Sequence, residues 1–362
     1  MGAVLTMNRV AAVQRLQIFR PLYRLLMGVM GLVFAMLVAE YGIRLAHPEI
    51  DPNVQIQFIE GRGDQPTLGA PGSEKRQIKN TGDFDVMVRF NQHGLRDSKD
   101  VSKATDSDWV VVGDSYFFGW GVEEQDRLSE QLDLLIEPAV FNLAMPTGLP
   151  DYGMLIGYAR RLGAPADRVI MGLTMEDDVA LYEQNPTDSE VESGPPSQVQ
   201  PNGANLFLRL KAKLLQNSAL YFMATSIVHH HEMIRDMAIA AGLIRPNLQG
   251  VHQHEFSQAA IDQTVAEIVK ISMKARDFLV VVLPSRALWV GDHQADEARR
   301  HATIIQGLRD QGLMVVDLKP HFENGQPPME LFFTNDGHWR PSGHARAAQA
   351  IEATLRKMES AQ

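Results

Sequence analysis

The sequence predicts an α/β fold: a three-layer, doubly wound parallel sheet with an N-terminal transmembrane helix and a helical insertion. Three observations predict it. Five short apolar runs occur in the second part of the chain, segments with helical spacing lie between them, and one long apolar stretch lies near the N-terminus. Apolar runs rich in β-branched residues are typical of strands buried on both faces. Strands that alternate with helices favour a parallel sheet with right-handed crossovers.

The apolar N-terminal stretch predicts a signal anchor over residues 25–45. Arg15, Arg20 and Arg24 precede this stretch. A basic flank predicts residues 1–24 in the cytoplasm and the rest of the chain on the outer side of the membrane. A cleaved signal peptide and a buried core helix are the alternatives that the same stretch leaves open.

Residues 46–100 are rich in proline and glycine and predict a loop-rich extension ahead of the α/β domain, which is assigned to residues 101–362. The segment FNQHGLRD, at 90–97, closes this extension. Its Asn91 and Arg96 fit two interpretations, one in which they pack the extension against the rim of the sheet and one in which they form a plain turn.

The predicted strands have in common a run of valine, leucine, isoleucine or phenylalanine that is bounded by polar or small residues. Such runs of four to eight residues are the usual length of a buried strand. The five strands are predicted at 109–114, 139–144, 168–173, 278–284 and 313–318.

Helical spacing marks the segments between these strands, because apolar residues at i, i+4 and i+7 lie on one face of a helix. After the first strand this pattern resumes at about residue 125. Residues from about 180 to 256 break the alternation, and their Pro/Ser/Gly-rich loop and apolar helical stretch predict an insertion over one edge of the sheet. Three sets carry the spacing: Leu128, Leu132 and Leu135; Ile261, Val265 and Ile268; Ile351, Leu355 and Met358.

Composition excludes several classes of function. The formal net charge is −10 and no basic face is evident, which argues against a nucleic-acid partner. The chain has no cysteine, so disulfides, thiol catalysis and thiolate metal sites are excluded. The run VHHHE at 228–232 fits a solvated helix face better than a metal site, because adjacent histidines on a helix point in different directions. Neither a metal nor a cofactor is predicted.

A serine stands directly behind the first predicted strand, in VVVGDSYFFGWG. Open α/β sheets gather their chemistry at the carboxyl ends of strands, which is where Ser115 would lie. A serine hydroxyl needs a base, usually a histidine oriented by a carboxylate. Asp336 and His338, in FFTNDGHWRPSGH, are expected on the same rim. The structural alternatives are a helix-capping or turn serine and a loop histidine; His344 is expected to open the last helix.

The segments GDSYFFGWGV and NDGHWRPSGH together resemble the first and last blocks of the SGNH/GDSL hydrolase superfamily. In particular, the chain is similar to the membrane-anchored bacterial branch related to polysaccharide O-acetyltransferases and acetylesterases. AEYGIRL, FNQHGLRD and VVVLPSR agree with that branch, and the resemblance covers most of residues 85–360. It implies an SGNH-hydrolase-like, flavodoxin-like sheet, a cytoplasmic N-terminus and a periplasmic main domain on the bacterial inner membrane.

The resemblance also implies the roles of individual residues. Ser115 would be the nucleophile, His338 the general base and Asp336 its orienting carboxylate. The oxyanion would be held by the backbone amide of Ser115 and by one amide of the turn NLAMPTG, at Ala144 or Gly148.

One position departs from the family, whose third block commonly carries an asparagine. By alignment of the strands, Glu176 stands there, followed by Asp177 and Asp178. An ionised carboxylate only accepts hydrogen bonds and would repel the oxyanion. Three alternatives follow: Glu176 is protonated, its side chain points away from the oxyanion, or the protein is a slow or inactive relative of the family. The three acids also fit a cation site, although a polar loop at a strand end explains them equally well.

The function implied by the resemblance is that of a membrane-anchored acyl esterase or O-acetyltransferase acting on acylated carbohydrate through a Ser-His-Asp triad. The alternative belongs to another class. It is a catalytically inactive SGNH-like domain that binds glycan, recruits a membrane acyltransferase or serves as a partner subunit of a membrane complex.

Overall fold

A computed structural model describes residues 2–50, 56–183, 213–215, 217–241 and 256–360. The strands are β1 (Phe58–Ile59), β2 (Leu68–Gly69), β3 (Glu74–Ile78), β4 (Asp85–Arg89), β5 (Trp109–Val112), β6 (Val140–Asn142), β7 (Arg168–Leu173), β8 (Asp277–Val282) and β9 (Met314–Asp317). The helices are α1 (Gly2–Ala46), α2 (Ser115–Phe118), α3 (Leu128–Asp133), α4 (Leu149–Arg161), α5 (Ala219–His230), α6 (Glu232–Ala240), α7 (Gln258–Ser272), α8 (Gln294–Asp310), α9 (Lys319–Phe322) and α10 (Pro341–Ser360).

The α/β domain is built on one parallel sheet of five strands in the order β6-β5-β7-β8-β9. Each of the five predicted runs forms one of these strands, so the predicted α/β sheet is confirmed. From β5 the chain first steps to β6 on one side and then to β7 on the other. This reversal makes the carboxyl end of β5 the switch point of the sheet, which is where open α/β folds place their sites.

Two hydrophobic clusters cover the two faces of the sheet and make the predicted three layers. On one face, Leu155 of α4, Ile268 of α7 and Ile304 of α8 are completely buried. On the other face, Leu132 of α3 and Ile351 of α10 are completely buried. Helices therefore shield both faces of strands that carry apolar side chains in both directions.

One of the predicted helical sets ends too early for its last member. Helix α3 stops at Asp133, and Leu135 lies beyond it with 40% of its surface exposed. The spacing predicts a helix face over Leu128, Leu132 and Leu135, but only the first two are buried. Helix α10 does continue through Leu355 and Met358.

The extension before the α/β domain contains more regular structure than its composition predicts. Strands β1 and β2 form one antiparallel pair, and β3 and β4 form a hairpin. Val88, Phe90 and Leu95 are buried in the same cluster as one face of the large sheet. The extension is therefore packed onto the domain, and it brings residues of the hairpin close to the carboxyl edge of the sheet.

Helix α1 contains a segment that is long and apolar enough to cross a membrane. The segment Tyr23–Ala46 has 24 residues, a mean hydropathy of 1.9 and no buried part. By length and composition it fits a membrane anchor and a signal sequence equally well. Near its end, the Glu40 carboxylate accepts hydrogen bonds from the amides of Ala219 and Leu220 at the start of α5, each at 2.9 Å.

The predicted insertion is described in part, as helices α5 and α6. The Pro/Ser/Gly-rich loop at its start lies outside the described residues. The sequence predicts that the histidine run lies on a solvated helix face. The run instead spans the junction of two helices, because α5 ends at His230 and His231 has an extended backbone before α6 begins.

Candidate active site

Ser115 is the first residue of α2 and directly follows Gly113 and Asp114, the two residues after the end of β5. Asp114 is the N-cap of this helix, since its carboxylate accepts the amide of Tyr116 at 2.9 Å. Ser115 is therefore not a capping residue, and the helix starts at once instead of near residue 125. A Cβ at Gly113 would lie 2.8 Å from the Phe117 side chain, so the tight turn requires glycine there.

The structure brings Ser115, His338 and Asp336 together. His338 Nε2 lies 2.7 Å from Ser115 Oγ, although the residues are 223 positions apart. His338 Nδ1 is hydrogen-bonded to Asp336 Oδ1, and the His338 amide donates to the same oxygen at 3.0 Å. When the Nδ1–H group donates a hydrogen bond to the carboxylate, the unprotonated Nε2 can accept the hydrogen bond of the serine hydroxyl. This is the hydrogen-bond order of a charge-assisted Ser-His-Asp arrangement.

Asp336 has a second partner that the sequence does not reveal. Lys79, in the turn of the β3–β4 hairpin, places its Nζ 2.9 Å from Asp336 Oδ2. Burial alone would raise the pKa of Asp336, but the charges of Lys79 and His338 and their hydrogen bonds hold this pKa well below its usual value. The carboxylate is therefore ionised at neutral pH and can orient the imidazole.

Two aromatic side chains pack on the imidazole of His338. The ring centroids of Tyr116 and His338 are 4.9 Å apart, and the Trp120 ring stacks on the imidazole at 5.8 Å. The Tyr116 hydroxyl donates to the Gly337 carbonyl at 2.9 Å and so ties α2 to the loop with His338. Burial raises the pKa of Tyr116 well above its usual value, which keeps this hydroxyl a donor.

The loop after α2 is fixed by a buried arginine of the extension. The Arg96 guanidinium donates to the carbonyls of Phe118, at 3.1 Å, and of Gly119 and Val122. Burial and the neighbouring Arg127 lower the pKa of Arg96 to about 9, so it stays charged at neutral pH. The segment FNQHGLRD allows two interpretations. For Arg96, the structure agrees with the one in which the extension packs against the site. Asn91 instead forms a local turn, because its Oδ1 accepts the amides of His93 and Leu95.

The predicted oxyanion residues lie at the carboxyl edge of the sheet. As the first residue of α2, Ser115 has a backbone amide for which the described part of the chain offers no hydrogen-bond acceptor. Ala144 is buried just after β6, the neighbour of β5, and Gly148 is the N-cap residue of α4. Their role as oxyanion donors stays a prediction.

Glu176 lies in a π-helical turn directly after β7, beside the switch point. Burial raises the pKa of its carboxyl to about 7, against the opposing effects of the Ser285 hydroxyl and the Arg286 guanidinium. At neutral pH a substantial fraction of Glu176 is therefore protonated and able to donate a hydrogen bond.

Asp178, grouped with Glu176 in the sequence, has a structural position. It is completely buried and accepts the amides of Leu149 and Thr174, each at 3.0 Å, which ties the end of β7 to the start of α4. Burial and the nearby Asp114 raise the pKa of Asp178 well above its usual value. Nothing in the acidic run distinguishes Asp178 from its neighbours, so the sequence could not single it out.

Among the described residues, the carboxylates close enough to share a metal ion are not those of the acidic run. They are Asp97, Glu124 and Glu130, whose oxygens lie within 4.8 Å of one another. Lys99 Nζ and Arg127 Nη2 bind Glu130 at 2.9 and 3.0 Å. This group is therefore explained by ion pairs.

Residues 249–362 match the family model of the SGNH hydrolase-like domain of acetyltransferase AlgX. The C-terminal part of the α/β domain is therefore similar to this family. The matched residues include β8, β9, α10 and the loop with Asp336 and His338, whereas Ser115 lies outside them. The match therefore includes the D-x-H block of the sequence but not the GDS block.

Several solved structures are similar to this chain at low identity. LAE5, an alpha/beta hydrolase from the metagenome of Lake Arreo, is 11% identical over 70% of this chain and 97% of its own, with a TM-score of 0.39. The lipase/acylhydrolase from Enterococcus faecalis is 12% identical over 69% and 96%, with a TM-score of 0.38. A carbohydrate esterase family 2 enzyme with a carbohydrate-binding domain, from Corynascus thermopiles, is 13% identical over 70% and 67%, with a TM-score of 0.35. Among curated proteins, no match was found.

Proposed function

We propose that the chain is a serine acyl esterase or O-acyltransferase that acts on acylated carbohydrate through an acyl-Ser115 intermediate. The contact that supports this most strongly is the 2.7 Å approach of His338 Nε2 to Ser115 Oγ, in line with the bond from His338 to Asp336. A nucleophile, a base and an orienting carboxylate in this order are what acyl transfer requires. The match of residues 249–362 to a domain of an acetyltransferase supports an acetyl ester as the substrate class.

In the first half-reaction, Ser115 Oγ attacks the ester carbonyl while His338 Nε2 takes its proton. The ionised Asp336 stabilises the imidazolium that results, and the free amide of Ser115 is available to the oxyanion of the tetrahedral intermediate. The intermediate collapses when the imidazolium returns the proton to the departing sugar oxygen, leaving the acyl group on Ser115.

In the second half-reaction, His338 removes a proton from water or from a sugar hydroxyl, which attacks the acyl carbon. The proton then passes from the imidazolium to Ser115 Oγ, and the acid or the new ester leaves. Hydrolysis and transfer differ only in the acceptor, so both use the same residues.

The test is covalent labelling of the full chain, purified in detergent, with a fluorophosphonate probe. We expect labelling of the wild type at Ser115, loss of labelling in Ser115→Ala, and unchanged labelling in Ser107→Ala, an exposed serine at the opposite edge of the sheet. Absence of label on a wild-type chain that unfolds cooperatively would refute the mechanism, provided that a control esterase is labelled in parallel.

The non-catalytic alternative is a glycan-binding domain or a subunit of a membrane complex. It is motivated by the carboxyl group of Glu176, where the resemblance implies an amide, and by the helical insertion. Glu176→Asn separates the two functions. A sharp rise in ester turnover identifies a hydrolase limited by Glu176. No turnover and no labelling in either form supports the binding role.

We further infer that α1 anchors the chain in the inner membrane, with the SGNH-like domain on the periplasmic side. The membrane-length segment Tyr23–Ala46 and the arginines before it support this orientation. N-terminal sequencing of the mature chain tests it, because removal of the first residues up to about Ala46 would identify a cleaved signal peptide instead.

A further inference from the structure

The β3–β4 hairpin touches both loops of the proposed active site. On the nucleophile side, Gln77 Oε1 accepts the amide of Gly121 at 2.9 Å. On the histidine side, Asp83 Oδ1 accepts the amides of Thr334 and Asn335 at 3.0 and 3.1 Å. The hairpin therefore bridges two loops that the large sheet alone leaves separate.

Lys79 is held rigidly in the turn of this hairpin. Its amide donates to the Phe84 carbonyl at 3.0 Å, and its own carbonyl accepts the amide of Gly82 at 3.0 Å. The Phe84 ring packs on Phe333, with ring centroids 5.3 Å apart. The position of the Lys79 backbone is thus set against the histidine loop before its side chain makes any contact.

The ammonium of Lys79 binds the carboxylate oxygen of Asp336 that does not contact His338. Oδ1 bonds to the imidazole and Oδ2 lies 2.9 Å from Lys79 Nζ. The side chain of Asp336 is 5% exposed and that of Lys79 is 36% exposed, so a buried carboxylate is neutralised by a cation that reaches in from the rim. Without this cation, one oxygen of a buried, ionised carboxylate would lose its partner.

We propose that Lys79 is a positioning residue of the triad: its ammonium fixes the orientation of the Asp336 carboxylate and weakens the hold of that carboxylate on the imidazolium of His338. The proposal rests on the proposed function, in which His338 is the general base. A cation beside the carboxylate offsets part of its negative charge, so the imidazolium gains less from Asp336 when Lys79 is present.

A substitution at position 79 leaves the other ionisable residues near His338 in the sequence. Burial raises the pKa of Asp114 and of Tyr116, and burial lowers the pKa of His344 to about 3, so that His344 stays neutral. Arg286 donates to the Asp336 carbonyl at 3.3 Å. A comparison of variants at position 79 therefore isolates the effect of one charge. The groups that face the imidazole and its carboxylate are Asp336, Lys79, Asp114, Tyr116, His344 and Arg286.

The test follows the pH dependence of fluorophosphonate labelling in the full chain. In Lys79→Met the acid limb of the labelling rate should move up by about one pH unit, because the imidazolium is stabilised when the cation is lost. Lys79→Gln, which keeps a hydrogen-bond donor without the charge, should move it similarly. Lys79→Arg should move it by less than half as much. Lys75→Met, on the same hairpin, is the matched control and should leave the limb in place.

A second measurement does not depend on the reactivity of Ser115. An NMR titration of histidine-labelled chain in the Ser115→Ala background, with His338 assigned through His338→Gln, should show the His338 midpoint at higher pH in Lys79→Met and Lys79→Gln. A wild type that never labels refutes the proposed function, while the titration still decides the role of Lys79. Labelling that falls equally at every pH, or a midpoint that does not move, would show a merely structural Lys79 and overturn the inference.

Discussion

The two loops that meet at the proposed active site are held by different kinds of contact. The loop after Ser115 is held by the Arg96 guanidinium, which is completely buried and donates to three backbone carbonyls. The loop around His338 is held at the rim, by the ion pair of Lys79 with Asp336 and by two amides donated to Asp83. Both sets of contacts come from the extension before the α/β domain.

The two kinds of contact should differ in their effects: those of Arg96 on the stability of the fold, and those of Lys79 on the proposed activity. Hydrogen bonds from a buried cation to neutral carbonyls change little with pH or salt. Their loss leaves buried carbonyl groups without hydrogen-bond donors. A pair that is partly open to solvent is more sensitive to both and contributes less to stability. We therefore expect that changes at Arg96 reduce the stability of the fold. Changes at Asp336 should instead reduce the proposed activity while the chain stays folded.

The largest effect is expected on the histidine side, in Asp336→Asn. An amide facing His338 Nδ1 favours the wrong tautomer and leaves Lys79 without its carboxylate. The rate of fluorophosphonate labelling should fall by about a thousandfold or more, as expected when the orienting carboxylate of a triad is lost. The thermal unfolding midpoint should change by only a few degrees. Labelling near the wild-type rate would mean that Asp336 does not orient the base.

On the nucleophile side, Arg96→Met should lower the free energy of unfolding by roughly 3 to 5 kcal/mol, because three carbonyls lose a charged, buried donor. Thermal unfolding followed by circular dichroism measures this loss. Arg89→Met is the matched control, since Arg89 makes one exposed ion pair with Glu74 and its replacement should cost about 1 kcal/mol or less. Equal losses in the two variants would erase the contrast between buried and exposed cations.

A smaller effect is expected after β7, where Glu176→Gln tests how a partly buried carboxyl titrates near the loop after Ser115. Burial raises the pKa of Glu176 from 4.5 to about 7, so the native chain binds the proton more tightly than the unfolded chain. Its contribution to stability is present below about pH 4.5 and is lost as the pH rises to about 7.

The variant should therefore match the wild type at pH 4.5 and exceed its stability at pH 8 by about 2 kcal/mol. Unfolding midpoints at the two pH values measure the difference. The exposed Asp262, changed to Asn, is the control and should leave the difference between the pH values unaltered. A Glu176→Gln chain that is no more stable at pH 8 would show that Glu176 is ionised at little cost.

Much of the fold could be predicted because its signals are local. Strands β5 to β8 are largely buried and the edge strand β9 is partly buried, so their apolar runs identify them without knowledge of the rest of the chain. Boundaries were less predictable. Helix α2 begins directly at Ser115 because Asp114 caps it and Gly119, at a φ of 85°, ends it after one turn, a unit too short to show helical periodicity.

The sequence by itself determined that a serine follows the first strand of the sheet, that Asp336 and His338 lie two positions apart before the last helix, and that both loops belong to one edge of a parallel sheet. Only the tertiary structure decided which residues hold these loops in register. Lys79 and Arg96 act across separations of 257 and 22 to 26 positions. Such partners carry no periodic or motif signal, because their contacts arise only when the extension packs onto the folded domain.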